Sequence, residues 1–206
     1  MPAAPLPTTH LADTRQRVLD AACAAFREEG YQVSIERIAA RAQVARQTLY
    51  NHFASKEALF AEVMRHAVHS ILVTLEGDGD LRATLLDFAT AYRARVLSAE
   101  GVAIFRTMVA EAPRFPTLAR PFFEEGPQRT RQGLARYLAR AMDAGRLRRD
   151  DPAFAAELLT AMLSDYERLQ RLFGLPAAPD EAKAARVVDA FLRMFAPSAR
   201  PARRRK

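Results

Sequence analysis

From Val18 to Phe195 the apolar residues recur every three or four positions, the spacing that lines one face of a helix, and no stretch sustains the alternation a strand requires. The fold expected is all-α. Val18, Leu19, Ala22, Cys23 and Phe26 mark a first helix, closed by Gly30 where glycine commonly ends one. Ser34, a good N-cap, opens a second, with Ile35, Ile38 and Ala39 inward. A third runs over about 45–53 with Leu49 and Phe53 inward. Ser55 then caps a long helix whose apolar pairs, from Leu59 and Phe60 on to Leu75, outrun what a three-helix module can cover. That helix is expected to join two regions and to end at Gly77-Asp78-Gly79-Asp80. Further helices are expected over about 81–97, 101–112, 128–144, 152–173 and 180–195. Asp151-Pro152, a cap followed by proline at the first helical position, is the strongest of their start signals.

The domain organisation expected is a disordered N-terminus over 1–11, a helix-turn-helix module over 12–58, a larger helical domain over 59–197 and a basic, disordered tail over 198–206. The chain of 206 residues carries a net charge of +7, but the excess is local. Residues 1–65 hold eight basic and seven acidic groups, whereas Arg200, Arg203, Arg204, Arg205 and Lys206 stand with no acid among them. Global basicity is therefore poor support for a nucleic-acid partner of the body, and local motifs must carry the argument. The single cysteine, Cys23, excludes an intrachain disulfide and fits a reducing cytoplasm; its place on an apolar stripe suits core packing. No apolar run approaches the ~20 residues that span a bilayer, so no membrane role is expected.

Two short helices joined by Ala42-Gln43-Val44-Ala45 have helix-turn-helix proportions, in which the second helix enters the major groove of DNA. The run from Ile38 through Arg41-Ala42-Gln43-Val44-Ala45-Arg46-Gln47-Thr48-Leu49-Tyr50-Asn51-His52-Phe53 to Leu59 resembles the DNA-binding signature of the TetR family. The likeness reaches back through Arg17-Val18-Leu19-Asp20-Ala21-Ala22 and Phe26-Arg27-Glu28-Glu29-Gly30-Tyr31. Gln43 stands where that family usually has glycine, and Ala45 where a serine or threonine commonly caps the recognition helix. The resemblance implies base-edge contacts from Ala45, Arg46, Gln47 and Asn51, and phosphate contacts from Ser34, Thr48, Tyr50, His52 and Lys56. Chemistry supports several of these. Arginine can bond guanine O6 and N7 together, and glutamine can do the same for adenine N6 and N7. An exposed Tyr50 suits a phosphate oxygen. Lys56, in the first turn of its helix, opposes the helix dipole unless a phosphate docks there.

From about Ile104 the chain also resembles the AefR-type C-terminal domain of that family, on Met108-Val109-Ala110-Glu111-Ala112-Pro113-Arg114-Phe115-Pro116, Phe122, Gly126-Pro127 and Ala144-Gly145-Arg146-Leu147-Arg148. This likeness implies a homodimer built on the last two helices and an effector pocket among the middle ones. The apolar stripes Leu158, Leu159, Met162, Leu169 and Val188, Phe191, Leu192, Phe195 are the expected dimer interface. Phe88, Tyr92, Phe105, Met108, Phe122, Tyr137, Phe154, Met162 and Tyr166 are the expected lining for a small apolar effector, though a plain core needs the same spacing.

The function expected is a sequence-specific, DNA-binding transcriptional regulator, a repressor released from a palindromic operator by a small molecule. The alternative is a ligand-blind repressor with a solid interior. No phosphate-binding glycine loop, metal cluster or set nucleophile points to an enzyme or a cofactor, and His66 with His69 lacks further ligands for a metal.

Overall fold

The computed structural model describes residues 8–77, 79–114, 116–176 and 180–197, and those residues are helical with no strand among them. The helices are α1 (Thr8–Glu29), α2 (Ile35–Arg41), α3 (Arg46–His52), α4 (Lys56–Leu72), α5 (Leu81–Val96), α6 (Ala99–Glu111), α7 (Pro116–Phe123), α8 (Arg129–Asp143), α9 (Pro152–Leu172) and α10 (Lys183–Met194). The chain divides into two compact units: Met1–Val68 with Ala99–Pro127, and His69–Ser98 with Gln128–Lys206.

The first unit is a three-helix module enlarged by α6 and α7. Its core gathers Val18, Leu19, Ala22 and Phe26 of α1, Ile35 and Ile38 of α2, Leu49 of α3, and Leu59, Phe60 and Val63 of α4. Met108 of α6 is buried in the same cluster, with Ile104 and Phe122 packed against it, which is why α6 and α7 belong to this unit. Cys23 packs at the edge of that core, half-buried. The expected starts are where the side chains place them: Ser34 Oγ accepts from the Arg37 amide and Ser55 Oγ from the Ala58 amide. Helix α1, by contrast, begins at Thr8, within the segment expected to be frayed; residues 1–7 and the tail from 198 lie outside the described residues.

The turn between α2 and α3 depends on one residue. Val44 N–H reaches the Ala39 carbonyl and Gln43 N–H the Ala40 carbonyl, the bond pair that closes a helix through a left-handed residue. That residue is Gln43, at φ 55°. Left-handed backbone costs a non-glycine residue ~1–2 kcal/mol, and glycine returns part of the gain as unfolded-state entropy. Gln43→Gly is therefore expected to stabilise the protein by ~0.5–1 kcal/mol, read as a rise of ~1–4 °C in a thermal melt. A fall in Tm would show that the Gln43 side chain contributes more than its backbone costs.

The second unit has its core in Leu85, Phe88 and Ala89 of α5, Leu134, Tyr137 and Leu138 of α8, Leu159 and Leu163 of α9, and Val188, Phe191 and Phe195 at α10. Asp151 caps α9 through the Ala153 amide, with Pro152 at the first position. Helix α8 passes so close to the last turn of α4 that a methyl on Gly133 would stand 2.4 Å from Leu72 Cδ2. Where α5, α9 and α10 meet, Glu167 is buried among cations. Arg93 Nη2 donates to its Oε2 at 2.8 Å and Arg171 Nη2 to its Oε1 at 3.1 Å, with Lys183 Nζ 3.6 Å away. Burial alone would raise the Glu167 pKa, yet the arginine hydrogen bonds and the neighbouring positive charge hold it below its ordinary value.

Two differences from the sequence expectation have local causes. The segment around Gly126-Pro127, expected as a break, instead runs as a widened helical turn over Glu124–Gln128 directly into α8. A wide turn accommodates the amide that Pro127 lacks, and Pro121 sits inside α7 just before it. The span Lys56–Leu75 is, by length and composition, apolar enough to cross a membrane. Its apolar side chains are used otherwise: Leu59, Phe60, Val63 and Met64 in the first core, Ile71 and Leu75 in the second.

Candidate nucleic-acid interface

Helix α3 presents one face inward and the other to solvent. Leu49 is fully buried, whereas Ala45, Arg46, Gln47 and Asn51 are exposed and Thr48, Tyr50 and His52 are half-buried at the edges. The 3.6-residue period places Gln47 and Asn51, four apart, on one face away from Leu49, while Ala45 and Arg46 are exposed at the helix start. Ala45, at the cap position, makes no side-chain hydrogen bond, so the first amides of α3 are left without that cap. Ser34 and Lys56 stand at the starts of α2 and α4 in the same unit.

The polar groups of this face are held in place. Arg46 Nη1 is 3.0 Å from Glu36 Oε1, and its guanidinium lies over the Tyr50 ring at 5.5 Å. Gln47 Nε2 donates to Asn51 Oδ1 at 3.2 Å. On α2, Arg41 makes two parallel bonds to Glu28, at 2.6 and 2.7 Å, and Arg37 pairs with Glu29 at 2.9 Å. Lys56 Nζ sits 4.3 Å from the centre of the Tyr31 ring, whose hydroxyl donates to Glu57 Oε1 at 3.0 Å. Tyr31 stacks on Phe26 and meets Phe60 edge-on, so the lysine rests on a rigid aromatic base. Burial lowers the Lys56 pKa, and Glu57 offsets part of that. A phosphate against a partly desolvated ammonium would meet a stronger field than in bulk water.

Tyr31 and Glu36 thus contact Lys56 and Arg46 of the candidate face, and the sequence reading did not single them out. Their signal was present but diffuse, in an acid at the start of α2 and an arginine at the start of α3 that the turn folds together.

The residues expected to line an effector pocket are divided between the two units. Phe105, Met108 and Phe122 belong to the first unit; Phe88, Tyr92, Tyr137, Phe154, Met162 and Tyr166 belong to the second. Phe88, Tyr92 and Tyr137 are packed in the core, and the buried Tyr137 hydroxyl has no hydrogen-bond partner among the described residues. Phe154 and Tyr166 are exposed on α9, at 55% and 72%. There they continue a stripe with Leu158, Met162, Leu169 and Phe173, at spacings of three and four along one helix face. Leu158, Met162 and Leu169 of the expected dimer interface lie on that stripe, and Leu192 of α10 is half-buried. Leu159, Val188, Phe191 and Phe195 are at most 1% exposed and are spent on the chain's own core. The described surface includes a cleft in each unit. One of about 460 Å³ in the second unit is lined by Arg93, Glu167 and Arg171, and one of about 260 Å³ in the first by Phe26, Tyr31, Phe60 and Met108. Among the described residues no three His, Cys, Asp or Glu side chains are grouped to hold a metal ion.

Residues 18–63 match the family described as bacterial regulatory proteins, tetR family. Residues 83–197 match the AefR-like transcriptional repressor C-terminal domain. Among solved structures, a TetR-family regulator from Mesorhizobium loti is 28% identical over 90% of this chain and 98% of its own, with a TM-score of 0.71. The flavonoid-responsive regulator FrrA is 33% identical over 91% of this chain and the whole of its own, with a TM-score of 0.67. A TetR-family regulator from Pseudomonas syringae is 26% identical over 88% and 94%, with a TM-score of 0.57. A comparison with curated proteins returns no match.

Proposed function

Because this chain belongs to the TetR family of DNA-binding transcriptional regulators, with an AefR-like C-terminal domain, we propose that it is a cytoplasmic homodimeric repressor that a small apolar molecule releases from a palindromic operator. The observation that carries the DNA-reading part is the exposed face of α3. It offers Arg46, Gln47 and Asn51 beside Tyr50, over a buried Leu49. In this reading Ala45, Arg46, Gln47 and Asn51 meet base edges, while Ser34, Thr48, Tyr50, His52 and Lys56 meet phosphates. The two half-sites lie one helical turn, ~34 Å, or a multiple apart. The chemistry proposed is recognition, with no catalytic step.

The effector part is supported by the buried Tyr137 hydroxyl, unpartnered among the described residues, since leaving such a group unsatisfied costs ~1–3 kcal/mol that a ligand could return. The name of FrrA, a relative that answers to flavonoids, supports the same class of small, largely apolar molecule. One observation favours the ligand-blind alternative: Phe88, Tyr92, Leu134, Leu138 and Leu163 are each at most 9% exposed, as in a closed core.

The test begins with selection of bound fragments from genomic DNA, followed by titration of the selected operator at several salt concentrations. Lys56→Ala should weaken all sequences alike and flatten the salt dependence by ~1.8 in slope, for two phosphates lost per dimer. Arg46→Ala and Gln47→Ala should each relax preference at particular base pairs. An unaltered slope would remove Lys56 from the interface. A selection that yields no shared sequence would refute the operator reading.

A further inference from the structure

Arg46 begins the helix that faces DNA in the reading above, on which the following inference rests. Its guanidinium is held on two sides. Glu36 of α2 takes the Nη1 edge at 3.0 Å, and the Tyr50 ring of α3 takes one face at 5.5 Å. Both side chains of the ion pair remain more than half exposed, so the rest of the guanidinium is open. An arginine has five donors in a rigid fork, and one carboxylate oxygen occupies only part of them. The acid is itself fixed. It lies in the first turn of α2, where the backbone amide and the Arg46 charge hold its carboxyl below the ordinary value.

An unpaired arginine on a DNA-facing helix is drawn to the nearest phosphate, which carries no sequence information. An arginine clamped between a carboxylate and a ring loses little rotamer freedom when it meets a guanine, and the neighbouring acid repels the phosphates that would compete for it. We propose that Glu36 is a positioning residue for sequence reading: together with Tyr50 it orients Arg46 so that its open edge meets a guanine instead of the DNA backbone. The pair is retained in the complex, and Glu36 touches no base.

Three features set Glu36 apart from the other acids of this module. Glu28 and Glu29 lie on α1 and bind Arg41 and Arg37 of α2, fastening one helix to the other, whereas Glu36 alone binds a side chain of α3. It also sits at the start of α2 rather than behind it. And its partner is the residue whose chemistry best suits a guanine.

The experiment compares wild type, Glu36→Gln, Arg46→Ala and the double variant, each as the full chain, on a random-sequence duplex pool and on the operator selected from it by the wild-type protein. Glutamine keeps the shape and removes the charge. With Glu36→Gln, the guanine preference at one position of each half-site is expected to fall from about tenfold to about threefold or less. Affinity for random duplex should rise about two- to fivefold as Arg46 turns to phosphates. In the Arg46→Ala background, Glu36→Gln should leave the base-preference profile unaltered. Three outcomes overturn the inference. A uniform loss on all sequences with a lower Tm would make Glu36 a helix-start residue only. The same affinity gain with and without Arg46 would make it a simple repelling charge. A lost cytosine preference in both backgrounds would make it a direct base contact. If the wild-type protein enriches no sequence, the DNA-reading function itself fails, which is a separate result.

Discussion

Glu167→Ala is expected to lower the stability of the protein by ~3 kcal/mol, with Tm falling by ~6–12 °C. Glu167 pairs with Arg93, Arg171 and Lys183, and its side chain and that of Arg93 are both nearly closed to solvent. Removing it takes from Arg93 and Arg171 the carboxylate they share where α5, α9 and α10 meet. The figure is the lower end for a broken buried pair, because a third of the Arg171 side chain remains in water. The sign with pH follows from the depressed carboxyl. A group titrating below its ordinary value near 4.5 contributes its full stability above that value, and the contribution fades as pH falls through the folded-state pKa. The gap between wild type and Glu167→Ala should thus be constant above about pH 5 and shrink in more acidic buffer, as measured by urea midpoints. Glu167→Gln should lie between them. A gap that does not change with pH would mean that the loss comes from packing and not from charge.

The second large effect is expected on the exposed stripe of α9. Exposed Phe154, Tyr166, Leu169 and Phe173 are joined into an apolar line by half-buried Leu158 and Met162, which also pack on the chain's own core; in a lone protomer the exposed part would face water at a cost of ~25 cal/mol per Å². With a second protomer packed there, the double variant Tyr166→Asp, Leu169→Asp would place two charges from each side in an apolar contact. It should run as a monomer by light scattering at micromolar concentration. Operator affinity should then fall by ~10²–10⁴-fold, because each half-site must be bound without the linkage to the other. Both residues are exposed in the chain itself, so helicity and the monomer fold should survive. A variant that stays dimeric, with operator affinity intact, would move the interface away from α9.

What the sequence revealed and what it hid follow from the range of the interactions. Ser34, Ser55 and Asp151 cap their helices through amides two or three residues away, and a left-handed Gln43 follows from four residues of turn. That Gln47 and Asn51 point away from Leu49 follows from helical period alone. The role of α9 does not, since Leu159 and Leu163 on one side and Leu158, Met162 and Tyr166 on the other are equally apolar. Period cannot say which side meets the chain's own core, and so Phe154 and Tyr166 read as interior while Val188 and Phe191 read as interface. Residues such as Glu36 and Arg46 stand ten positions apart and are joined only by the geometry of the intervening turn. The wide turn at Glu124–Gln128 was masked by Gly126-Pro127, which locally argue for a break.

Gly133 turns a packing detail into a mechanical one. With no side chain of its own, it leaves a notch on α8 into which the head of Leu72 sinks, closer than any methyl would permit. A leucine seated over a glycine acts as a detent. To travel along α8 it must climb over the side chains that flank the notch, so the last turn of α4 has one defined resting place there and not a continuous track. Displacement of that turn would then come as a step of about one helical turn, ~5 Å, or not at all.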